Sequence, residues 1–397
     1  MSLTSTPLLI MLGSLFVVGV VLLVVFWRYL APNRVLPIVG RVAALLAINV
    51  LLVLTAAVAL NDQYLFYVDW NDLFGITGAS AVAVGHVGAP SSSLFQAVSP
   101  SGGPGVGADA SATAVTGPFP ISAVPISSLP ALPSGAGPSN RLLTFHITGD
   151  KSGLQGEVMV LLPASYFDRS MATHKYPVII APPTYPGSPE ALFRNFDIQN
   201  ALSSAVNRKQ IADSIVVVPA TSFPGAPDSE CVNYPQGQPQ VETWMASDVP
   251  TWVVSHFRTV TDRASWATMG VSAGAWCASM MSFLHPNTFA AAVSLSGYFY
   301  PKFDSNPPYP RLSAGLEPYN LEKKAGTAPA PIAMVVQASA QDRVAYPSTA
   351  RFLRNTTPPL SITSMISATG GHRWIVWRPL LPISLTWLGK TIPGFAP

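Results

Sequence analysis

ASWATMGVSAGAWCASMMSFLHPNTFAAAVSL, residues 264–295, holds a short apolar run, a turn flanked by glycines, a longer apolar stretch and a second short run. ASWATM and AAVSLSG are too short for helices and apolar at successive positions, as strands buried on both faces are. The stretch between them, Ala273 to Leu284, has helical length. Strand, turn, helix and strand in that order make a βαβ unit, whose crossover demands parallel strands covered by helices. Gly270 and Gly274 suit the turn, because a sharp strand-to-helix reversal leaves no room for side chains beside its central residue, Ser272.

The same alternation extends outward. YPVIIAPP, IVVVPA, PIAMVVQAS and SITSMIS read as further buried strands. Helical stretches separate them at 191–208, in SDVPTWVVSHF, around 349–353 and near 380–388. Upstream, LLTFHITG and LQGEVMVLLPASY alternate about the turn GDKSG and predict an antiparallel entry to the sheet. Many of the 39 prolines fall just after strands, where they end a ladder and fix a loop. Residues 141–397 therefore predict one α/β domain with a mainly parallel central sheet.

The first third has another character. LLIMLGSLFVVGVVLLVVFW (Leu8 to Trp27) and VAALLAINVLLVLTAAVAL (Val42 to Leu60) carry no charge, and each is long enough as a helix to cross an apolar layer of about 30 Å. Residues 1–62 predict a two-span transmembrane hairpin whose partner is the lipid bilayer. A signal peptide is the alternative for the first run, but no Lys or Arg precedes it, whereas Arg28, Arg34 and Arg41 follow it. Those arginines predict a cytoplasmic hairpin loop, with the N-terminus and everything after Leu60 outside the plasma membrane. Asp62, Asp69 and Asp72 carry no positive charge against that orientation. A weaker apolar stretch, Ile76 to Val87, rich in Gly and Ala and interrupted by His86, is a candidate third membrane-associated segment. Residues 63–140 are rich in Pro, Ser, Gly and Ala, bury too little to offset the entropy of ordering, and predict an extracytoplasmic linker with apolar residues able to pack on a neighbour.

With 22 Lys plus Arg against 19 Asp plus Glu and no basic run, the chain offers nothing to nucleic acid. Neither HExxH nor GxxxxGK[ST] occurs, so no metal and no phosphate-bearing cofactor is expected. Cys231 and Cys277 are either a disulfide, which an oxidising compartment favours, or two buried thiols.

A hydroxyl at the tip of such a turn suits nucleophilic attack, with the Ala273 N–H facing the developing oxyanion at the helix N-terminus. Serine needs a base, which follows it in chain order in folds of this kind. Only His285 and His372 follow. His285 ends the helix after the turn and suits a cap on its carbonyls; His372, in the loop GGHRW after the last strand, is the candidate base. Asp342 follows PIAMVVQAS as the candidate acid, with Asp304, Glu317 and Glu322 as alternatives. The acid would fix the imidazole tautomer without taking the proton. The second oxyanion donor is expected from the backbone of Thr184 or Tyr185, since Pro183 and Pro186 have no N–H.

LLPASY, VETWMASDVPTWVVSHF, TMGVSAGAWCASMMSFLHPNTFAAAVSLSG and GGHRWIVW together resemble the putative-esterase branch of the α/β-hydrolases over roughly Arg141 to Leu388. That branch includes esterase D-like enzymes and the mycobacterial antigen 85 mycolyltransferases. The resemblance implies an α/β-hydrolase fold, Ser272, Asp342 and His372 as nucleophile, acid and base, an acyl-enzyme without cofactor, and an ester or glycolipid substrate. It implies an actinobacterial cell-envelope setting, with three functions in view: a membrane-anchored serine esterase, an acyltransferase moving a fatty or mycolic acyl group onto an envelope sugar or lipid, and a silent esterase-like subunit of a membrane protein complex. The sequence departs from antigen 85 in its spans, in Asp342 where those enzymes use glutamate, and in Pro183-Thr184 where the family has an Asp-Gly pair. A Cys231–Cys277 bridge would pin the loop SFPGAPDSECVNYPQGQP beside the site.

Overall fold

The computed structural model describes residues 3, 5–64, 67, 70–74, 82–95, 118–304, 307–309 and 314–397. The chain forms two compact units. The first comprises Met1–Ala81 with the short segments Ala340–Val344 and Ala368–Arg373; the second comprises Val82–Ser339, Ala345–Ser367 and Trp374–Pro397.

The first unit is built on two long apolar helices, α1 (Thr6–Leu30) and α2 (Val35–Tyr64). They pack on each other through small residues. A Cβ on Gly19 would lie 3.4 Å from Ile48 and one on Gly13 4.0 Å from Thr55, so the glycines let the backbones approach. Two polar side chains of α2 bond carbonyls of their own helix: Asn49 Nδ2 donates to that of Leu45 at 3.0 Å and Thr55 Oγ1 to that of Leu51 at 2.7 Å. Large apolar side chains such as Val24, Leu46 and Val53 stay more than half exposed. Both helices are long and apolar enough to cross a membrane.

The second unit is an α/β-hydrolase fold around one nine-stranded sheet. Its strands are β1 (Val82–Gly88), β2 (Leu142–Thr148), β3 (Gln155–Leu161), β4 (Val178–Ile180), β5 (Ile215–Pro219), β6 (Trp266–Val271), β7 (Ala291–Leu295), β8 (Ala333–Ser339) and β9 (Ser361–Ser367). Across the sheet they run β1-β9-β8-β7-β6-β4-β5-β3-β2. The six strands β4 to β9 are parallel, while β1, β2 and β3 are antiparallel to their neighbours.

Period-two alternation divides the core. Val158, Val160, Val178 and Ile180 point to one face, under α5 (Val249–His256), α6 (Ala273–Leu284), α7 (Leu321–Thr327) and α8 (Tyr346–Asn355). Met159, Leu161 and Ile179 point to the other, under α3 (Pro189–Phe196), α4 (Ile198–Asn207) and α9 (Leu380–Thr391). α6 is apolar all round because eleven of its residues are buried. At about 18 Å long it is a core helix, too short to cross a bilayer.

Two elements differ from the sequence reading. Of the stretch considered as a third membrane segment, 82–87 belongs to β1, an edge strand paired with β9, while 76–81 lies outside the described residues. In the segment 63–140, residues 65–66, 68–69, 75–81 and 96–117 lie outside the described residues, and Phe119, Ile121, Val124, Leu132 and Ala136 pack on the core, as scattered apolar residues in a linker can. The single helix expected over 191–208 is two, broken at Asp197, whose φ of 51° no helix accommodates.

Candidate active site

Ser272 joins β6 to α6 with φ 55° and ψ −126°. A side chain held there costs about 1–3 kcal/mol, and fixed neighbours must impose it. Its N–H donates to the Leu295 carbonyl at 3.0 Å, and its own carbonyl accepts from Ala275 and Trp276 at 3.0 and 3.1 Å. The flanking glycines are required by backbone contact. A Cβ on Gly270 would meet the Gly274 carbonyl oxygen at 2.2 Å, and one on Gly274 would meet that of Pro182 at 2.4 Å. The second contact lays the loop after β4 directly against the serine turn.

That loop and the turn share a small cleft of about 10 Å³, room for about one water, lined by Pro183, Tyr185, Asp228, Glu230, Ala273 and Cys277 among others. Ala273 and Tyr185, both considered as oxyanion donors, are on its wall. Thr184 is half-buried beside it, with its carbonyl folded over Gly187.

The far wall is the loop after β5. Cys231 and Cys277 are joined by a disulfide, with their Cα atoms 5.6 Å apart, which ties this loop to α6. Glu230 and Cys231 both take positive φ, 45° and 53°. Ser229 Oγ holds them there, donating to the Thr221 carbonyl at 2.5 Å and accepting from Cys231 N at 3.0 Å. Trp276 Nε1 donates to the Glu230 carbonyl at 2.7 Å. The Glu230 carboxyl is buried and accepts from the Tyr298 hydroxyl at 2.5 Å and the Lys302 N–H at 2.9 Å. Burial pushes its pKa up to about 8, with Asp228 and Asp304 adding to the rise, against the opposing pull of those two hydrogen bonds. Asp228 is 4% exposed. Its Oδ2 accepts from Asp304 N at 2.7 Å, while its Oδ1 is buried with no hydrogen-bond partner among the described residues. Burial raises the Asp228 pKa as well.

The candidate acid and base lie on the continuations of β8 and β9, in the first unit. His372 Nδ1 is 2.8 Å from Asp342 Oδ2, and Asp342 is wholly buried. Asp342 Oδ1 accepts from Val344 N at 3.0 Å, which orients the carboxylate. Residues next to this pair touch the end of α2. Arg343 pairs with Asp62 at 3.5 Å, and the Arg373 guanidinium lies 4.4 Å over the Tyr67 ring. Tyr67 is held in turn by Asn61, through bonds of 2.8 and 2.7 Å to its carbonyl and N–H.

The competing residues are engaged elsewhere. His285 does not use its ring to cap α6; its Nε2 is 2.8 Å from Glu242 Oε1, and Glu242 Oε2 accepts from Tyr319 at 2.6 Å. Burial acts to raise the Glu242 pKa, but the bonds from His285 and Tyr319 outweigh it and leave the carboxyl below its ordinary value. Glu322 binds Arg351 at 2.5 Å and Ser348 at 2.5 Å; Glu317 pairs with Lys323 at the surface. Sequence reasoning missed Asp228, Glu230 and Glu242. The adjacency of Glu230 to Cys231 was the one available signal for the first two.

Comparison with known proteins agrees with this architecture. A family described as putative esterase matches residues 153–388. An uncharacterized protein of Corynebacterium glutamicum is 24% identical over 248 residues, covering 58% of this chain and 56% of that protein, so the match spans little more than half its relative. Among solved structures, a ferulic acid esterase superposes with TM-score 0.53 at 18% identity, covering 63% of this chain and 98% of its own. An S-formylglutathione hydrolase from Agrobacterium tumefaciens superposes with TM-score 0.52 at 13% identity, covering 63% and 94%. At these identities the two likenesses carry the fold. The match to more than half of the sequence carries the family: this chain belongs to the putative esterase family of the α/β-hydrolases, a family of hydrolase-type enzymes.

Proposed function

We propose that the chain is a membrane-anchored serine esterase that cleaves carboxylic esters through an acyl-enzyme on Ser272. The observation that carries the reading is the buried Asp342 carboxylate 2.8 Å from His372 Nδ1. A carboxylate there fixes the proton on Nδ1, makes Nε2 the basic nitrogen, and stabilises the imidazolium that forms when Nε2 takes a proton. The strained turn at Ser272 adds support, because the nucleophile at the start of α6 puts the developing oxyanion beside the Ala273 N–H and the positive end of the helix dipole.

In this mechanism His372 Nε2 takes the Ser272 proton as Oγ bonds to the ester carbonyl carbon. The resulting oxyanion accepts from Ala273 N and from a backbone N–H of Thr184 or Tyr185. Collapse breaks the ester C–O bond, and the alcohol leaves with the proton from the imidazolium. Water, activated by the same nitrogen, then attacks the acyl-enzyme and regenerates Ser272. An alcohol in place of that water makes the same machinery an acyltransferase. The two apolar helices and the disulfide support a site outside the membrane in an oxidising compartment.

The test is covalent labelling of the detergent-purified full chain with a fluorophosphonate. Stoichiometric labelling is expected for the unaltered protein and none for Ser272→Ala. His372→Ala should label at least about 100-fold more slowly, the contribution of a positioned base. A folded protein that does not label would refute the catalytic reading.

A further inference from the structure

Each member of the candidate acid and base pair is followed in sequence by an arginine, Arg343 after Asp342 and Arg373 after His372, and both arginines reach one short turn. Arg343 pairs with Asp62 at 3.5 Å, and the Arg373 guanidinium lies 4.4 Å over the ring of Tyr67. All of these residues belong to the first unit. Asp62 is the last residue of the apolar span of α2, so the turn stands where the chain leaves that span. It is built to hold a shape. Asn61 is 6% exposed, and its side-chain amide clasps both backbone groups of Tyr67: Nδ2 donates to the carbonyl at 2.8 Å, and Oδ1 accepts from the N–H at 2.7 Å. An amide that satisfies a donor and an acceptor of one residue fixes that residue's peptide groups, and with them the direction of its ring. The segment carrying His372 is irregular by contrast. Between the end of β9 at Ser367 and the short helical turn Trp374–Trp377 it forms neither helix nor strand. A base on such a segment needs contacts that hold it in its productive orientation, because a misplacement of about 1 Å costs about 100-fold in rate. An arginine beside each member of the pair, with its partner on one clasped turn, supplies contacts of that kind.

We infer that the turn after α2 is a positioning element for the catalytic base: Asn61 fixes Tyr67, and Tyr67 and Asp62 hold the two arginines so that His372 and Asp342 keep their alignment. The apolar hairpin is then a working part of the enzyme and not a tether alone. The inference rests on the esterase reading of Ser272 and His372. Asn61, Asp62 and Tyr67 are positioning residues, acting on the reaction only through the segments that carry the acid and the base.

The test uses the full-length protein in detergent with a short-chain p-nitrophenyl ester, and a fluorophosphonate whose labelling end point counts the reactive serines. Rates are expressed per labelled serine, so a misfolded fraction does not enter them. Because His372 serves both the formation and the hydrolysis of the acyl-enzyme, its misplacement lowers kcat and leaves KM unchanged. Asp62→Ala combined with Tyr67→Ala should lower kcat about 3- to 30-fold, the shift that an exposed ion pair and a cation over a ring can together impose on an orientation. Asn61→Ala, which frees Tyr67 without removing its ring, should lower kcat in the same direction. Tyr67→Phe keeps the ring and should keep the parent's kcat. An unchanged kcat in the double alanine variant, a loss in Tyr67→Phe as large as in Tyr67→Ala, or a change in KM alone would overturn the inference. Absence of labelling in the unaltered protein would instead remove the reading on which it rests.

Discussion

Glu230 keeps its proton near neutrality because burial withdraws its carboxyl from water, and this ties stability to pH. In the unfolded chain the carboxyl ionises near 4.5; in the folded chain it does so near 8. Between those values the folded state binds more protons, so stability is full below about pH 4.5 and is lost as pH rises through 8. Glu230→Gln removes the titration. The variant should show a melting temperature that declines less than the parent's from pH 5 to 8, although the amide has one acceptor oxygen where the carboxyl accepts from both Tyr298 and Lys302, and the whole curve is lowered. Parallel curves over that range would show that the carboxyl does not titrate there. Asp228 belongs to the same scale. Its residue type was visible in the sequence, but an acceptor without a donor is a property of three-dimensional neighbours, and no spacing rule announces it.

Among the elements, the loop after β5 is the one whose order depends most on a covalent tie. The Cys231–Cys277 bridge closes a loop of 46 residues in sequence, which the chain-entropy account values at about 2–4 kcal/mol. Cys231→Ser with Cys277→Ser should lose stability by that amount in denaturant unfolding, with faster amide exchange concentrated in residues 221–234. Equal exchange throughout would mean that the hydrogen bonds of Ser229 and Trp276 hold the loop unaided. The ties between the acid and base segments and α2 are weaker. Arg343 and Asp62 are 64% and 41% exposed, which limits that pair to under about 1 kcal/mol. A cation over an exposed ring, as Arg373 over Tyr67, adds a similar amount.

Legibility also varied by element. β6, α6, β8 and β9 were readable because continuous apolar runs and one glycine-flanked turn leave few alternatives. β1 was not, since Gly85 and Gly88 interrupt its valines and its ladder partner lies at the other end of the chain. The break at Asp197 was hidden because both halves keep helical apolar spacing. Ser272, Asp342 and His372 stood out as residue types at strand ends in the required order. The hydrogen bond between His285 and Glu242 did not, because it joins the end of α6 to a distant turn.

At the scale of the whole molecule, the apolar hairpin and the hydrolase unit make opposite predictions for a reagent that cannot cross a membrane. The protein has no free cysteine among its described residues, so single thiols can be introduced as reporters. Arg354→Cys, on the surface of the hydrolase unit, should react with an impermeant maleimide on intact cells. Asn33→Cys, between α1 and α2, should react only after the cells are opened. The reverse pattern would put the hydrolase in the cytoplasm.

The pairing of β1 with β9 has a consequence for biogenesis. The first strand to leave the ribosome is the partner of the last, and the segment carrying His372 begins where that last strand ends. During synthesis β1 therefore stays unpaired until translation is nearly complete, and such long-range closure is slow. The sheet is complete only after β9 docks. A chain that terminates before residue 361 would leave the edges of β1 and β8 open and lack the segment carrying His372, which makes it prone to aggregation and proteolysis.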